Sequence, residues 1–212
     1  MDGFLAILVG VPLTLYIAAS SFLIGAAVAV PLVLALRSKV TVLRVIVRGL
    51  VDLLRGVPIV VWLFILYYGI SIGTFRFDSV SAAIVGLGLI AAAYLAEVYR
   101  GAILSIPEGQ WEASNALGFS RVSTFSLIIA PQALRVALPS ATTFGIALLK
   151  DSSIASVIGV TEIVFLTQAE ARSNQSGLEM YIIAAVVYIA LSFPLGLLSR
   201  WLDARFRKAV VA

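Results

Sequence analysis

Long apolar runs, cut by short polar breaks, dominate the chain. The first lies between Asp2 and Arg37 and is longer than one membrane crossing at about 1.5 Å per helical residue. Its start is therefore expected along the outer membrane surface before Pro12, with the span over approximately 8–36. Ala18, Ala19, Ser20, Gly25, Ala26, Ala27 and Ala29 crowd one region of it, as expected where helix backbones approach closely. A second run covers 58–73, with Trp62 and the pair Tyr67-Tyr68 near its ends. The tyrosines read as an interfacial belt rather than a cation–π site. A third run covers 80–104, and a fourth extends from Thr124 to Leu149. An interior proline removes a backbone hydrogen bond, so Pro131 is expected to separate an interfacial helix from a true span at 131–149. The segment Lys150 to Glu179 is mixed and reads as external or partly re-entrant, and a fifth run covers 180–199. No internal repeat is visible. The pattern predicts an all-α integral membrane protein of about five transmembrane helices.

Composition closes off other classes. The 212 residues are 61% hydrophobic and 12% charged, against roughly a quarter charged in soluble domains, and the mean hydropathy is +1.09. Five spans leave no room for a soluble catalytic domain. Cysteine and histidine are absent, which removes disulfides, thiolate chemistry, the usual zinc and haem ligands and any Ser–His pair. No metal site is expected. The first run is too long for a signal-peptide core and reads as a retained span.

Charge then sets orientation. Arg37, Lys39, Arg44, Arg48 and Arg55 face a single acid, Asp52, and Arg200, Asp203, Arg205, Arg207 and Lys208 follow the last run beside Trp201. Both clusters belong in the cytoplasm, so the N-terminus is expected outside and the C-terminus inside. The connector Thr74 to Asp78 then falls outside. Cytoplasmic basic loops also account for the net charge of +4 without invoking nucleic acid.

On that topology the break from Ile106 to Gly118 is cytoplasmic. It reads as a small helix: Pro107 suits a first helical position, Glu108 sits near the positive end of the dipole, and Gly118 supplies a C-terminal cap. A surface helix there suggests a docking site. By residue type alone, a plain connecting helix fits equally well.

The order Tyr94-Leu95-Ala96-Glu97-Val98-Tyr99-Arg100-Gly101-Ala102-Ile103, then Ser105 to Gln110, Glu112-Ala113, Ala116-Leu117-Gly118 and Pro131-Gln132-Ala133, resembles the permease subunits of bacterial ABC importers. It looks most like their polar amino acid uptake branch, the histidine-, glutamine- and arginine-type permeases. Arg55-Gly56-Val57-Pro58 and Leu149-Lys150-Asp151-Ser152-Ser153 extend the match over nearly the whole chain. Ser114 stands where that family often has a second alanine, and it remains small.

The resemblance implies one permease domain over 1–212 in the bacterial inner membrane, with a coupling loop over approximately 106–124. Glu108, Gly109, Gln110, Glu112, Ala113, Ala116, Leu117 and Gly118 would seat it in a groove of a partner ATPase. It implies a second permease subunit, identical or related, a cytoplasmic ATPase dimer carrying ATP-Mg, an external solute-binding protein, an amino acid substrate and surrounding lipid. No cofactor is expected on this chain, which has no G-x-x-x-x-G-K-[ST] phosphate loop.

Candidates for the substrate path are Tyr94, Glu97, Lys150, Asp151, Ser152, Ser153 and Glu162. Glu97 and Arg100 share a helix face and can pair, which favours a structural role. Lys150 and Asp151 place both charge signs close together, as a zwitterion requires, and the serines add hydroxyls. Glu162 and Gln168 are candidates for the outer vestibule, and segment 161–178 for contact with the binding protein. Arg135 could meet lipid phosphate or the coupling loop. Two other classes remain as alternatives: an ion-coupled secondary transporter or channel, and an intramembrane hydrolase with a Ser–Lys pair.

Overall fold

The computed structural model describes residues 3–72, 75–173 and 177–207. Gly73, Thr74, Asn174, Gln175 and Lys208, which carry parts of the expected connector, mixed segment and basic tail, lie outside the described residues.

The first run forms α1 (Gly3–Leu8) and α2 (Val11–Leu36), with Pro12 in the first turn of α2 where its missing N–H does no harm. α3 (Thr41–Gly56) follows, then α4 (Ile59–Phe64) continued by a π-helical turn, Ile65–Gly69. A two-residue ladder, β1 (Ser71–Ile72) with β2 (Phe75–Arg76), pairs Ser71 with Arg76 and Ile72 with Phe75. Asp78 then opens α5 (Ser79–Leu104), its carboxylate accepting from the N–H groups of Val80 and Ser81, each at 2.9 Å. The Ser81 N–H and hydroxyl hold that carboxyl below the usual carboxylate range.

The break after α5 carries α6 (Glu108–Ala116). Beyond it, α7 (Arg121–Ser123), a π-helical segment Thr124–Ile129 and α8 (Ala130–Asp151) run on without interruption. A 3-10 segment, Ser152–Ile158, leads to α9 (Ile163–Ser173) and finally α10 (Gly177–Arg207).

Among the described residues, four helical stretches are long and apolar enough to cross a membrane: Gly3–Leu36, Ser79–Leu104, Arg121–Ile158 and Gly177–Phe206. Thr41–Gly56 and Ile59–Gly69, bent by 102° between them, supply a fifth crossing when the bent pair is counted as one span. Counted so, the second crossing begins in the basic segment, before the expected 58–73. Val47, Val51 and Leu54 pack with Leu36, Leu95 and Ala96, and this buried stripe draws α3 into the bundle despite its arginines. The fourth run also differs from expectation. Pro131 separates no interfacial helix, because the wider turn of the preceding π segment accommodates it and the helix continues.

α5 is the central element: 61% of its most apolar window is buried, against 11% for α10. α2 and α5 run parallel in close contact. Ser21 donates to the Ile84 carbonyl at 3.2 Å, Gly25 lies against Ala91, and Val33 shares a buried cluster with Ala102. A Cβ on Gly25 would stand 2.5 Å from that of Ala91, so glycine is what permits the approach. The mixed segment packs back into the bundle: Ala155, Ile158 and Val160 join Ile17, Leu63 and Leu87, while Ile163 joins Ile7, Met180 and Val187. Large exposed side chains such as Leu23, Ile189 and Phe193 suit a protein whose solvent is lipid.

Candidate functional site

Two features concentrate polar chemistry. The first is α6. Pro107 is extended (ψ 139°) and precedes the helix, one place earlier than expected, and Glu108 begins it. At the far end Gly118 is left-handed (φ 77°), its N–H bonds the Asn115 carbonyl, and the Phe119 N–H bonds that of Ser114. That pair of bonds is a Schellman closure, and it fixes the length of the helix. Ser114 is buried, with its hydroxyl turned back to the Gln110 carbonyl at 2.7 Å, and Trp111 packs on the cluster of Ile103, Ile106 and Ile129. One face of α6 is thus anchored to α5 and the π segment. The other face, with Glu108, Gly109, Glu112, Ala113, Ala116 and Leu117, is open, and Leu117 is 76% exposed. Beside it runs a groove lined by Arg37, Leu104, Glu108, Trp111, Glu112 and Asn115.

The second feature is a cavity of about 400 Å³ at the bend between α3 and α4. Leu54, Arg55, Gly56, Val57, Pro58 and Ile59 supply one part of its wall, Ile90 and Tyr94 of α5 another, and Phe144, Ala147, Leu148 and Asp151 of α8 the rest. The Arg55 guanidinium sits over the Tyr94 ring, 4.9 Å from its centroid, and Tyr94 stacks on Phe144 at 5.3 Å. Arg55 and Asp151 form no ion pair with each other within 4.0 Å. The cavity therefore presents a positive and a negative group on one largely apolar, half-open wall.

Two further polar groups are committed to the fold. Glu97 receives Arg48 of α3 at 2.6 Å and Arg100 at 2.7 Å. Glu162, between the crossings, is fully buried; it accepts from the Phe165 N–H at 2.8 Å and from the Tyr188 hydroxyl at 3.0 Å. Burial pushes its carboxyl above the usual range. Among the described residues, no cluster of three or more His, Cys, Asp or Glu is placed to hold a metal ion.

The family model described as "Binding-protein-dependent transport system inner membrane component" matches residues 7–208. The chain belongs to this family. As such it is a multi-pass inner-membrane permease subunit of an ABC importer, in which ATP is hydrolysed on separate subunits, and the ion-coupled alternative is set aside. The permease is 37% identical over 191 residues to the "Probable amino-acid ABC transporter permease protein YckA" of Bacillus subtilis (strain 168), covering 90% of this chain and 84% of that protein. It is 36% identical over 201 residues to the "L-cystine transport system permease protein TcyB" of the same organism, covering 94% and 84%. Among solved structures, "Crystal structure of an amino acid ABC transporter with histidines" superimposes with a TM-score of 0.88 at 26% identity, covering 94% of each chain. A chain of the MetNI methionine ABC transporter shares the fold, with a TM-score of 0.78 at 23% identity.

Of the candidate path residues in this permease, Tyr94 and Asp151 share the cavity. Lys150 is exposed and lies outside the lining. Ser152 is buried and bonds the Leu149 carbonyl at 2.7 Å, and Ser153 lies outside the lining. Glu97 and Glu162 are likewise outside it. Arg55 is the cavity group that sequence reasoning passed over. In the sequence it reads as part of the basic segment and of the Arg55-Gly56-Val57-Pro58 match, and the Gly56-Val57-Pro58 break beside it marks the bend.

Proposed function

We propose that this permease forms an amino acid translocation path through the cavity bounded by Arg55, Tyr94 and Asp151. The carrying observation is that Arg55 and Asp151 line one cavity without neutralising each other at contact distance. A zwitterion supplies the matching carboxylate and ammonium, and both charges are then paired inside a low-dielectric wall. Relatives whose names specify amino acids, cystine and opines support the cargo class.

The open face of α6, with Glu108, Gly109, Gln110, Glu112, Ala113, Ala116, Leu117 and Gly118, is the docking surface for a cytoplasmic ATPase dimer that binds ATP-Mg. Its anchored face carries the motion of the ATPases to α5 and α8. A second permease copy or close relative and an external solute-binding protein complete the importer. The N-terminus lies outside and the C-terminus in the cytoplasm, because Arg37, Lys39 and Arg44 before and at the start of α3, with Arg200 and Arg205 at the end of α10, then lie inside.

Reconstitution of the complete importer in proteoliposomes tests the reading. R55Q and D151N should each reduce ATP-driven amino acid uptake at least about tenfold while the ATPases still assemble. Uptake unchanged in both variants defeats it.

A further inference from the structure

The cavity also constrains the side chain of the cargo. Among the described residues that line it, only Arg55 and Asp151 are charged, and Leu54, Ile90, Phe144 and Leu148 make up much of the remaining wall. One guanidinium and one carboxylate answer, one for one, the two ionised groups that every free amino acid carries. Arg55 is not loosely placed: it lies over Tyr94, which is itself stacked on Phe144.

We propose that this cavity selects amino acids with uncharged side chains. The inference rests on the reading of the cavity as the substrate path. A third charge, on the side chain of arginine, lysine, glutamate or aspartate, would face apolar wall with no counter-ion, and an unpaired charge in a membrane interior is strongly disfavoured. Among the described residues, no third charged side chain lines the cavity. Glu97 is bound by Arg48 and Arg100, Lys150 is exposed and outside the lining, and Glu162 is buried against Tyr188. An amide, thioether, aliphatic or aromatic side chain carries no such penalty and gains contact with Ile90, Phe144 and Leu148.

The test is direct calorimetric binding to the detergent-solubilised complete importer without its binding protein, so that external selection is bypassed. The probes are glutamine, leucine and phenylalanine against arginine, lysine and glutamate. Neutral probes should bind at least about tenfold more tightly than charged ones, and R55Q and D151N should abolish that binding. A147E, which adds a second carboxylate to the wall at a half-buried site, should improve arginine binding at least about tenfold over the natural chain. Equal or tighter binding of a charged probe, still lost in R55Q and D151N, overturns the selectivity and leaves the cavity as the path. No amino acid binding that depends on Arg55 or Asp151 removes the path reading itself, and the selectivity with it.

Discussion

Tyr188 of α10 donates a hydrogen bond of 3.0 Å to Glu162, the residue that opens α9. The same carboxylate receives the Phe165 N–H, and Thr14 of α2 accepts from the Ile163 N–H at 3.3 Å. α2, α9 and α10 are thereby joined by one buried polar cluster. α10 is the least buried of the four long apolar stretches, and it is also held by Ser199, which bonds Thr143 and Pro139 of α8.

Y188F should lower stability by about 1–3 kcal/mol, the penalty for removing a partner from a buried acceptor. Thermal unfolding in detergent measures it. E162Q retains an acceptor oxygen and should be milder than E162A. Because burial raises the Glu162 carboxyl, folding favours its protonated form, and its charged form is the unfavourable one. Its effect on stability should therefore worsen as pH rises from the usual carboxylate value toward the raised one. E162Q should flatten that dependence, and a profile that slopes the other way counts against this account.

Asp78 has the opposite sign. Its carboxyl is lowered by Ser81, so its capping contribution is complete above the ordinary aspartate value and disappears as pH falls through the lowered one. D78A should cost about 1 kcal/mol at neutral pH, as helix N-caps do. The difference between D78A and the natural chain should vanish in acid, measured by melting temperature against pH.

Glu97 holds two guanidiniums on one carboxylate, with Arg48 the more exposed of the pair. E97Q leaves two like charges together and should destabilise by on the order of 1 kcal/mol, more than R48Q does. The double variant R48Q/E97Q should lose less than the sum of its parts. Strict additivity would show that α3 and α5 are not coupled through this contact.

G25A should destabilise by about 1–3 kcal/mol, because its methyl group would stand 2.5 Å from the Ala91 Cβ on a neighbouring backbone. G118A meets no neighbour but must keep φ at 77°, and should cost about 1 kcal/mol. A113W lies on the open face of α6 and should leave the melting temperature unchanged while reducing co-purification of the ATPase. Normal co-purification would move the docking surface away from Ala113.

The helical membrane class, the small helix after the third run and its glycine terminus are all legible in run length and residue type. The α3 crossing was hidden by Arg44, Arg48 and Arg55, although Val47, Val51 and Leu54 mark a helical stripe between them. Lys150 and Asp151 are adjacent in the chain and look like a pair, but the turn of α8 aims only Asp151 into the cavity. Arg55 reaches Tyr94, and Tyr188 reaches Glu162, only through tertiary folding, so neither partnership has a local signature. Pro131 failed as a punctuation mark because a π turn absorbs it, and single-residue rules do not register that turn.

The close parallel seating of α2 on α5 has a mechanical consequence. Gly25 lets α2 lie close on Ala91, and Ser21 and Val33 hold the same seam, so the two helices are expected to travel as a single strut. α6 is joined directly to one end of that strut, and its capped length admits little stretch. On the proposed docking, a push at α6 would reach the Tyr94 wall through that strut, and the bent α3–α4 pair lines the other side of the cavity. The bend at Val57 and Pro58 would then be the side that yields, and the strut the side that stays stiff.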